Sequence, residues 1–120
     1  MAHPLGILLI SGEPGRAHYA FVLAAGAAAL GRTVVLFATN EGTRALCADI
    51  TDLDAMPRPA CVAGIGELRA AAVDLGVRLI ACETGLLMAG LAPTRLLEGV
   101  EVAGVATFLA AIGPGQMLTM

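Results

Sequence analysis

The sequence contains few charged residues and almost no aromatic ones. Charged residues make up 14% and aromatic residues 3% of the 120 positions, while hydrophobic residues make up 58%. The net charge of −3 argues against nucleic-acid binding, which requires a basic surface. Because so few charges cannot cover the surface of a small domain, we expect the chain to form homo-oligomers through an apolar face.

Membrane-spanning, secretory and metal-binding patterns are also missing. A membrane-spanning helix needs about 20 apolar residues, and the longest apolar runs, residues 17–31 and 102–113, are shorter and contain glycine. We therefore expect no membrane association. Residues 1–4 lack the positive start of a signal peptide, so we expect a cytoplasmic location. The three cysteines match no zinc-binding spacing, which predicts free thiols and no metal site.

The pattern of apolar residues predicts a single α/β domain over residues 1–120. Strands are expected at residues 5–11, 33–38, 77–81, 100–103 and 116–119, and helices at residues 16–30, 41–48, 65–75, 83–90, 93–97 and 105–112. Continuous apolar strands are typical of parallel sheets covered on both faces. This alternation predicts a three-layer α/β/α sandwich around a mostly parallel sheet of about five strands. Residues 49–63, which contain three aspartates and two prolines, are expected to form a loop or lid.

Cys82 is the principal candidate for chemistry. It follows the predicted third strand and precedes a predicted helix, and ligands of open α/β sheets bind at the carboxyl ends of strands. A helix N-terminus stabilises a thiolate by roughly 0.3–1 kcal/mol, whereas the adjacent Glu83 carboxylate opposes it. The alternative is a structural role, since free cysteines are among the most buried residue types.

Polar residues and glycines follow three of the predicted strands and would line a pocket beside Cys82. They are Gly12, Glu13, Thr39, Asn40, Glu83, Thr84 and Gly85. Ordinary structural roles compete with this interpretation. Residues 12–16 suit a tight turn and lack the spacing of phosphate-binding loops, and Asn40 is expected to cap the helix that follows it.

A second thiol or a histidine would change the chemistry of Cys82. Cys61, on the predicted lid, is a candidate to resolve an oxidised Cys82 by forming a disulfide, and Cys47 is a weaker one. Both can equally be ordinary structural cysteines, because a disulfide requires a short Cα separation that the sequence does not supply. His18 would need to lie within hydrogen-bond reach of Cys82 to activate it, and an ordinary helical role is the alternative.

Four stretches, taken in order, resemble the DsrE/DsrF/DsrH-like family of sulfur-relay proteins. They are residues 8–12, 24–31, 75–82 and, as the most specific, 97–109. The resemblance implies a flavodoxin-like or Rossmann-like sandwich and homo-oligomers. It also implies that the family cysteine that carries a persulfide corresponds to Cys82.

The resemblance further implies a function in sulfur transfer. Members of the family receive sulfane sulfur from a TusA-like or rhodanese-like donor and pass it on, with no metal or organic cofactor. The sequence therefore predicts a persulfide carrier, a form of sulfurtransferase. Two alternatives stay open: a non-catalytic module that binds a small ligand or a protein, and a thiol redox protein that uses Cys82 and Cys61.

Overall fold

The fold is built on a parallel sheet of five strands. A computed structural model describes residues 3–120. The strands are β1 (Leu5–Leu9), β2 (Val34–Ala38), β3 (Arg78–Cys82), β4 (Glu101–Ala103) and β5 (Gln116–Thr119). They lie in the order β4-β3-β2-β1-β5, and each neighbouring pair is parallel. The predicted α/β class is confirmed.

Helices cover both faces of the sheet. They are α1 (Pro14–Ala29), α2 (Ile65–Asp74), α3 (Glu83–Ala89) and α4 (Val105–Ile112), with 3₁₀ segments at Asn40–Leu46, Leu53–Ala55 and Pro93–Arg95. The first three helices bury side chains in the main core on one face, and α4 packs on the other. The predicted three-layer sandwich is therefore confirmed, although the helix predicted at residues 41–48 is instead the 3₁₀ segment Asn40–Leu46. Within residues 3–120, no helix combines the length and the apolar character needed to cross a membrane.

The main core depends on small side chains from α1. Its buried positions recur every three or four residues, which places them on one face of the helix. They are Ala17, Ala20, Phe21, Ala24 and Ala28. Because four of the five are alanine, the helix backbone lies close to the sheet and the single ring of Phe21 fills the space between them.

The opposite core is smaller and depends on α4. The ring of Phe108 stacks on that of Phe37 with 4.9 Å between centroids and 10° between planes. A Cβ atom added to Gly6 in β1 would lie 2.8 Å from Ile112 Cγ2 and 2.9 Å from Phe108 Cζ. The absence of a side chain at Gly6 therefore allows α4 to rest directly on the sheet.

The loop before α2 is held beside α1 and α2. Asp54 caps α2 from a distance, since its carboxylate accepts hydrogen bonds from the N–H groups of Ile65 at 2.7 Å and Gly66 at 3.0 Å. The guanidinium of Arg58 lies 3.6 Å from the same carboxylate. His18 Nε2 lies 2.8 Å from the carbonyl oxygen of Ala63. These contacts fix the predicted lid to the layer that contains α1 and α2.

Asp54→Asn is expected to destabilise the protein in a way that depends on pH. Burial raises the pKa of Asp54, but the hydrogen bonds from Gly66 and Ile65 and the charge of Arg58 lower it, and the net pKa lies below the ordinary value. The stabilisation is therefore present above about pH 4 and is lost as the pH falls through the folded-state pKa. We expect the variant to lower the free energy of unfolding by about 1–2 kcal/mol at neutral pH.

Urea unfolding followed by circular dichroism at neutral and acidic pH measures this difference. The gap between wild type and Asp54→Asn should shrink below about pH 4. Asp74→Asn is the matched control, because Asp74 is exposed at the end of α2. Equal effects of the two substitutions at neutral pH would show that Asp54 does not stabilise α2.

Candidate functional site

Cys82 ends β3 and is the N-cap residue of α3. Its backbone is extended, with φ −67° and ψ 124°. Its Sγ atom accepts a hydrogen bond from the N–H of Gly85 at 3.3 Å, and the residue is 8% exposed. The thiol therefore belongs to a buried residue at the carboxyl edge of the sheet, with one backbone donor directed at the sulfur.

The side chain of Cys82 belongs to the core beneath α4. It contacts a cluster that contains Phe37, Ile80 and Phe108. Across the sheet, Cys82 pairs with Ala103 of β4, and α4 begins only two residues after Ala103. Cys82 and the buried side chains of α4 therefore belong to one cluster.

Gly85, near the start of α3, packs closely against the segment that follows β2. A Cβ atom added to Gly85 would lie 2.5 Å from both the nitrogen of Asn40 and Oγ1 of Thr39. Such close approach requires the absence of a side chain. The structure thus brings Thr39, Asn40 and Gly85 together beside Cys82.

Asn40 has a different local role from the one that the sequence predicts. Its φ of +50° lies in the left-handed region, which asparagine tolerates better than most residues. The N-cap of the 3₁₀ segment is Thr39, and no side-chain hydrogen bond caps it. The predicted capping role of Asn40 is therefore wrong. Its carbonyl oxygen instead accepts a hydrogen bond from Thr43 Oγ1 at 2.7 Å, which stabilises the turn.

The turn after β1 reaches the same edge of the sheet. A Cβ atom added to Gly12 would lie 2.9 Å from Cβ of Glu41, so Gly12 lies directly against the segment that follows β2. The Glu13 carboxylate accepts hydrogen bonds from the N–H groups of Gly15 and Arg16. Because Glu13 engages these donors, the turn acts as a helix cap and does not resemble a phosphate cradle.

The outer face of α3 is exposed next to the thiol. Glu83 and Thr84 are exposed, whereas Gly85 is buried. One turn further, Leu87 is 79% and Met88 72% exposed. A molecule that approaches Cys82 from this side therefore meets a carboxylate, a hydroxyl and two apolar side chains.

The other cysteines and His18 lie in the opposite layer. Cys47 is buried in the main core, and Cys61 is exposed in the loop fixed to α1 and α2. All three thiols are free. A Cys61–Cys82 disulfide stays a prediction, and it would require the loop to cross to the α4 side. His18 contacts that same loop and so lies on the side of the sheet away from the Cys82 thiol.

The sequence did not reveal a cross-strand ion pair between β3 and β4, which involves the first residue of β3 while Cys82 is the last. Arg78 donates to Glu101 through Nε at 2.6 Å and Nη2 at 2.8 Å, and the hydrogen bond from Arg78 lowers the pKa of Glu101. Identifying this pair requires the register of β3 and β4. The guanidinium of Arg78 is hydrogen-bonded to Glu101, so Arg78 is not a free cation that could stabilise a Cys82 thiolate.

Within residues 3–120, no group of three or more potential metal ligands lies together.

The surface of α4 carries no charged side chain. Charged residues are absent from residues 102–120, and Val105 and Leu109 are 55% and 50% exposed. Burial of this face against another chain would remove apolar surface from water without separating charges from solvent. Homo-oligomer formation through an apolar face stays a prediction.

Comparisons with known proteins identify the family and the fold. The model of the DsrE/DsrF/DrsH-like family matches residues 53–118, a range that contains Cys82. The protein of unknown function MTH1491 from Methanobacterium thermoautotrophicum has a TM-score of 0.70 and 17% identity over 98% of this chain and 99% of that one. The ychN protein from E. coli has a TM-score of 0.73 and 16% identity over 100% of both chains. No curated protein matches the sequence. Since the family match spans more than half of the sequence, the chain belongs to the DsrE/DsrF/DrsH-like family.

Proposed function

We propose that the protein is a sulfur carrier that accepts sulfane sulfur on Cys82 and passes it to a partner. The observation that carries the proposal is the placement of Cys82 at the carboxyl end of β3, inside the region that matches a sulfur-relay family. The hydrogen bond from the Gly85 N–H to Sγ supports it, because backbone donors stabilise anionic sulfur.

The proposed reaction is a thiol–persulfide exchange. The Cys82 thiolate attacks the outer sulfur of a donor persulfide, R–S–SH, so that a new Sγ–S bond forms and the donor S–S bond breaks. The products are Cys82–S–SH and the donor thiolate, which takes a proton from water. The exchange requires no external oxidant or reductant, because the sulfane sulfur keeps its oxidation state. Transfer to the acceptor repeats the exchange with Cys82 as the leaving thiolate.

The low exposure of Cys82 limits which donors fit. With 8% of the residue exposed, an incoming sulfane sulfur must stand at the end of an extended group, as in a cysteine persulfide on a protein loop. A TusA-like or rhodanese-like donor has this chemistry. The exposed face of α3, which follows Cys82 directly, is the surface against which such a donor would rest.

The redox alternative receives less support from the geometry. It requires a second thiol near Cys82, and the described structure places Cys61 with the layer of α1 and α2. The binding-module alternative treats Cys82 as a pocket lining only. The sulfur carrier and the binding module differ in whether Cys82 gains a sulfur atom, which is directly measurable.

Loading by sodium polysulfide tests the proposed function. The background is Cys61→Ser, because the exposed Cys61 thiol would also take up sulfur. We expect this variant to gain one sulfur atom by intact mass spectrometry and peptide mapping to place it on Cys82. Adding Cys82→Ser should abolish the gain, whereas adding Cys47→Ser should leave it unchanged.

Two results would contradict the sulfur carrier. One is undiminished sulfur uptake by Cys61→Ser/Cys82→Ser. The other is no uptake by Cys61→Ser while iodoacetamide still alkylates Cys82, which would show a reachable but unreactive thiol and favour the binding module.

A further inference from the structure

A cavity of about 150 Å³ lies apart from the Cys82 site. It is partly open to solvent and is lined by the end of the 3₁₀ segment Asn40–Leu46, the loop that follows it and the chain after α3. Two backbone hydrogen bonds join these regions, from Leu97 N to Leu46 O and from Ala48 N to Arg95 O, both at 2.8 Å. The cavity is therefore part of the folded framework rather than a gap between loose loops.

Charges of both signs line this cavity. Arg44 and Arg95 provide two cations, and Asp49 and Asp52 provide two carboxylates. The pKa of Asp49 is lowered first by hydrogen bonds from Thr51 and then by the charge of Arg95. The charge of Arg95 therefore acts on Asp49 across the cavity.

These opposite charges nevertheless do not pair directly. Among the ion pairs within 4.0 Å in residues 3–120, none joins either arginine of the cavity to either aspartate, and Arg44 pairs only with Glu41, at 3.3 Å. All four residues are exposed, so a direct pair between them would add little stability, and their side chains can be reached from solvent. Their separation across one cavity leaves room for a ligand that carries both charges.

The deeper wall of the cavity is apolar. Cys47 is 3% and Leu91 7% exposed, and both line it. The Cys47 thiol makes only a long hydrogen bond, 3.9 Å, to the carbonyl oxygen of Thr43. A short apolar or sulfur-containing group would therefore fit against this wall, while a polar one would lose its water without a replacement partner.

We propose that the cavity binds a small zwitterionic α-amino acid with a short apolar or thiol side chain. Its carboxylate lies between the two arginines, its ammonium group faces the two aspartates, and its side chain rests on Cys47 and Leu91. A volume of about 150 Å³ is roughly that of five water molecules, which suits alanine or cysteine better than a nucleotide or a flavin. The site does not depend on sulfur transfer by Cys82.

Titration of the full-length protein with L-alanine and L-cysteine, followed by ¹H–¹⁵N chemical shifts, tests this site. Propionate lacks the ammonium group and ethylamine lacks the carboxylate, so each offers one charge only. We expect both amino acids to shift the Leu91 amide, and each single-charge analogue to bind at least about tenfold more weakly.

Charge-removing variants test the assignment residue by residue. Arg95→Gln and Asp52→Asn should each weaken L-alanine binding by about tenfold. Arg16→Gln and Asp74→Asn are the matched controls, because both residues are exposed and neither lines the cavity. Absence of shifts with both amino acids, equal binding of propionate, or unchanged binding by Arg95→Gln and Asp52→Asn would overturn the proposal.

Discussion

Gly85→Ala is expected to destabilise the protein and to uncover Cys82. The new Cβ would lie 2.5 Å from the nitrogen of Asn40 and 2.8 Å from Cα of Thr39. These are backbone atoms that cannot rotate away, so α3 must move from the segment that follows β2. Overpacking of this kind costs about 1–3 kcal/mol. The shift also lengthens the hydrogen bond from the residue 85 N–H to the Cys82 sulfur.

Two measurements follow this change in a Cys61→Ser background. Urea unfolding gives the loss of stability, and the rate of Cys82 alkylation by iodoacetamide under native conditions gives the opening of the site. Gly26→Ala is the control, since a Cβ there has no neighbour within 4 Å. Alanine in place of a mid-helix glycine should stabilise α1 by about 0.5–1 kcal/mol. If both variants gained stability, the contact between α3 and residues 39–40 would not constrain the site.

The elements that position Cys82 could be predicted because their signals are local. Val34–Ala38 is continuously apolar and buried throughout, as expected for a central parallel strand. The predicted bounds of residues 105–112 and 116–119 agree with α4 and β5. The strand end at Cys82 was placed to within one residue, because Glu83, Thr84 and Gly85 interrupt the apolar run.

The surroundings of Cys82 depend on contacts that leave no local signal. Strand alternation puts Ile80 and Cys82 on the α4 side and Leu79 and Ala81 on the other. The sequence gives the alternation, but the helix that covers each set of side chains is known only from the folded structure. Asn40 likewise has a positive φ, which the sequence does not distinguish from the conformation of a residue that caps a helix.

The loop before α2 also depends on contacts between distant residues that the sequence does not predict. Glu67 accepts a hydrogen bond from the Gly64 N–H at the usual capping-box spacing, but Asp54 caps the same helix from eleven residues earlier in the chain, a separation that matches no local motif. Arg44 and Arg95 line one cavity although they lie about fifty residues apart in the sequence. Their segments are held together by the hydrogen bond from the Leu97 N–H to the Leu46 carbonyl oxygen. Charge patterning along the chain cannot show that these residues face one space.

Phe108→Ala is expected to have the largest effect on stability. The ring is 1% exposed and stacks on Phe37, and removal of a buried phenylalanine side chain costs about 3–5 kcal/mol. Total stabilities of small domains are about 5–15 kcal/mol, so the variant should lose a large part of its stability. Because Phe108 and Cys82 share one cluster, loss of the ring should also loosen α4 over the thiol.

Phe21→Ala separates local opening from general instability. Phe21 is also fully buried, but it belongs to the main core on the other face of the sheet. Urea unfolding should show losses of similar size for the two variants. Alkylation of Cys82 under native conditions should rise far more in Phe108→Ala, since only that variant opens the layer that covers the thiol. Equal alkylation rates at equal stability would mean that Cys82 becomes accessible through global unfolding, and that α4 does not control access to the proposed sulfur-carrying site.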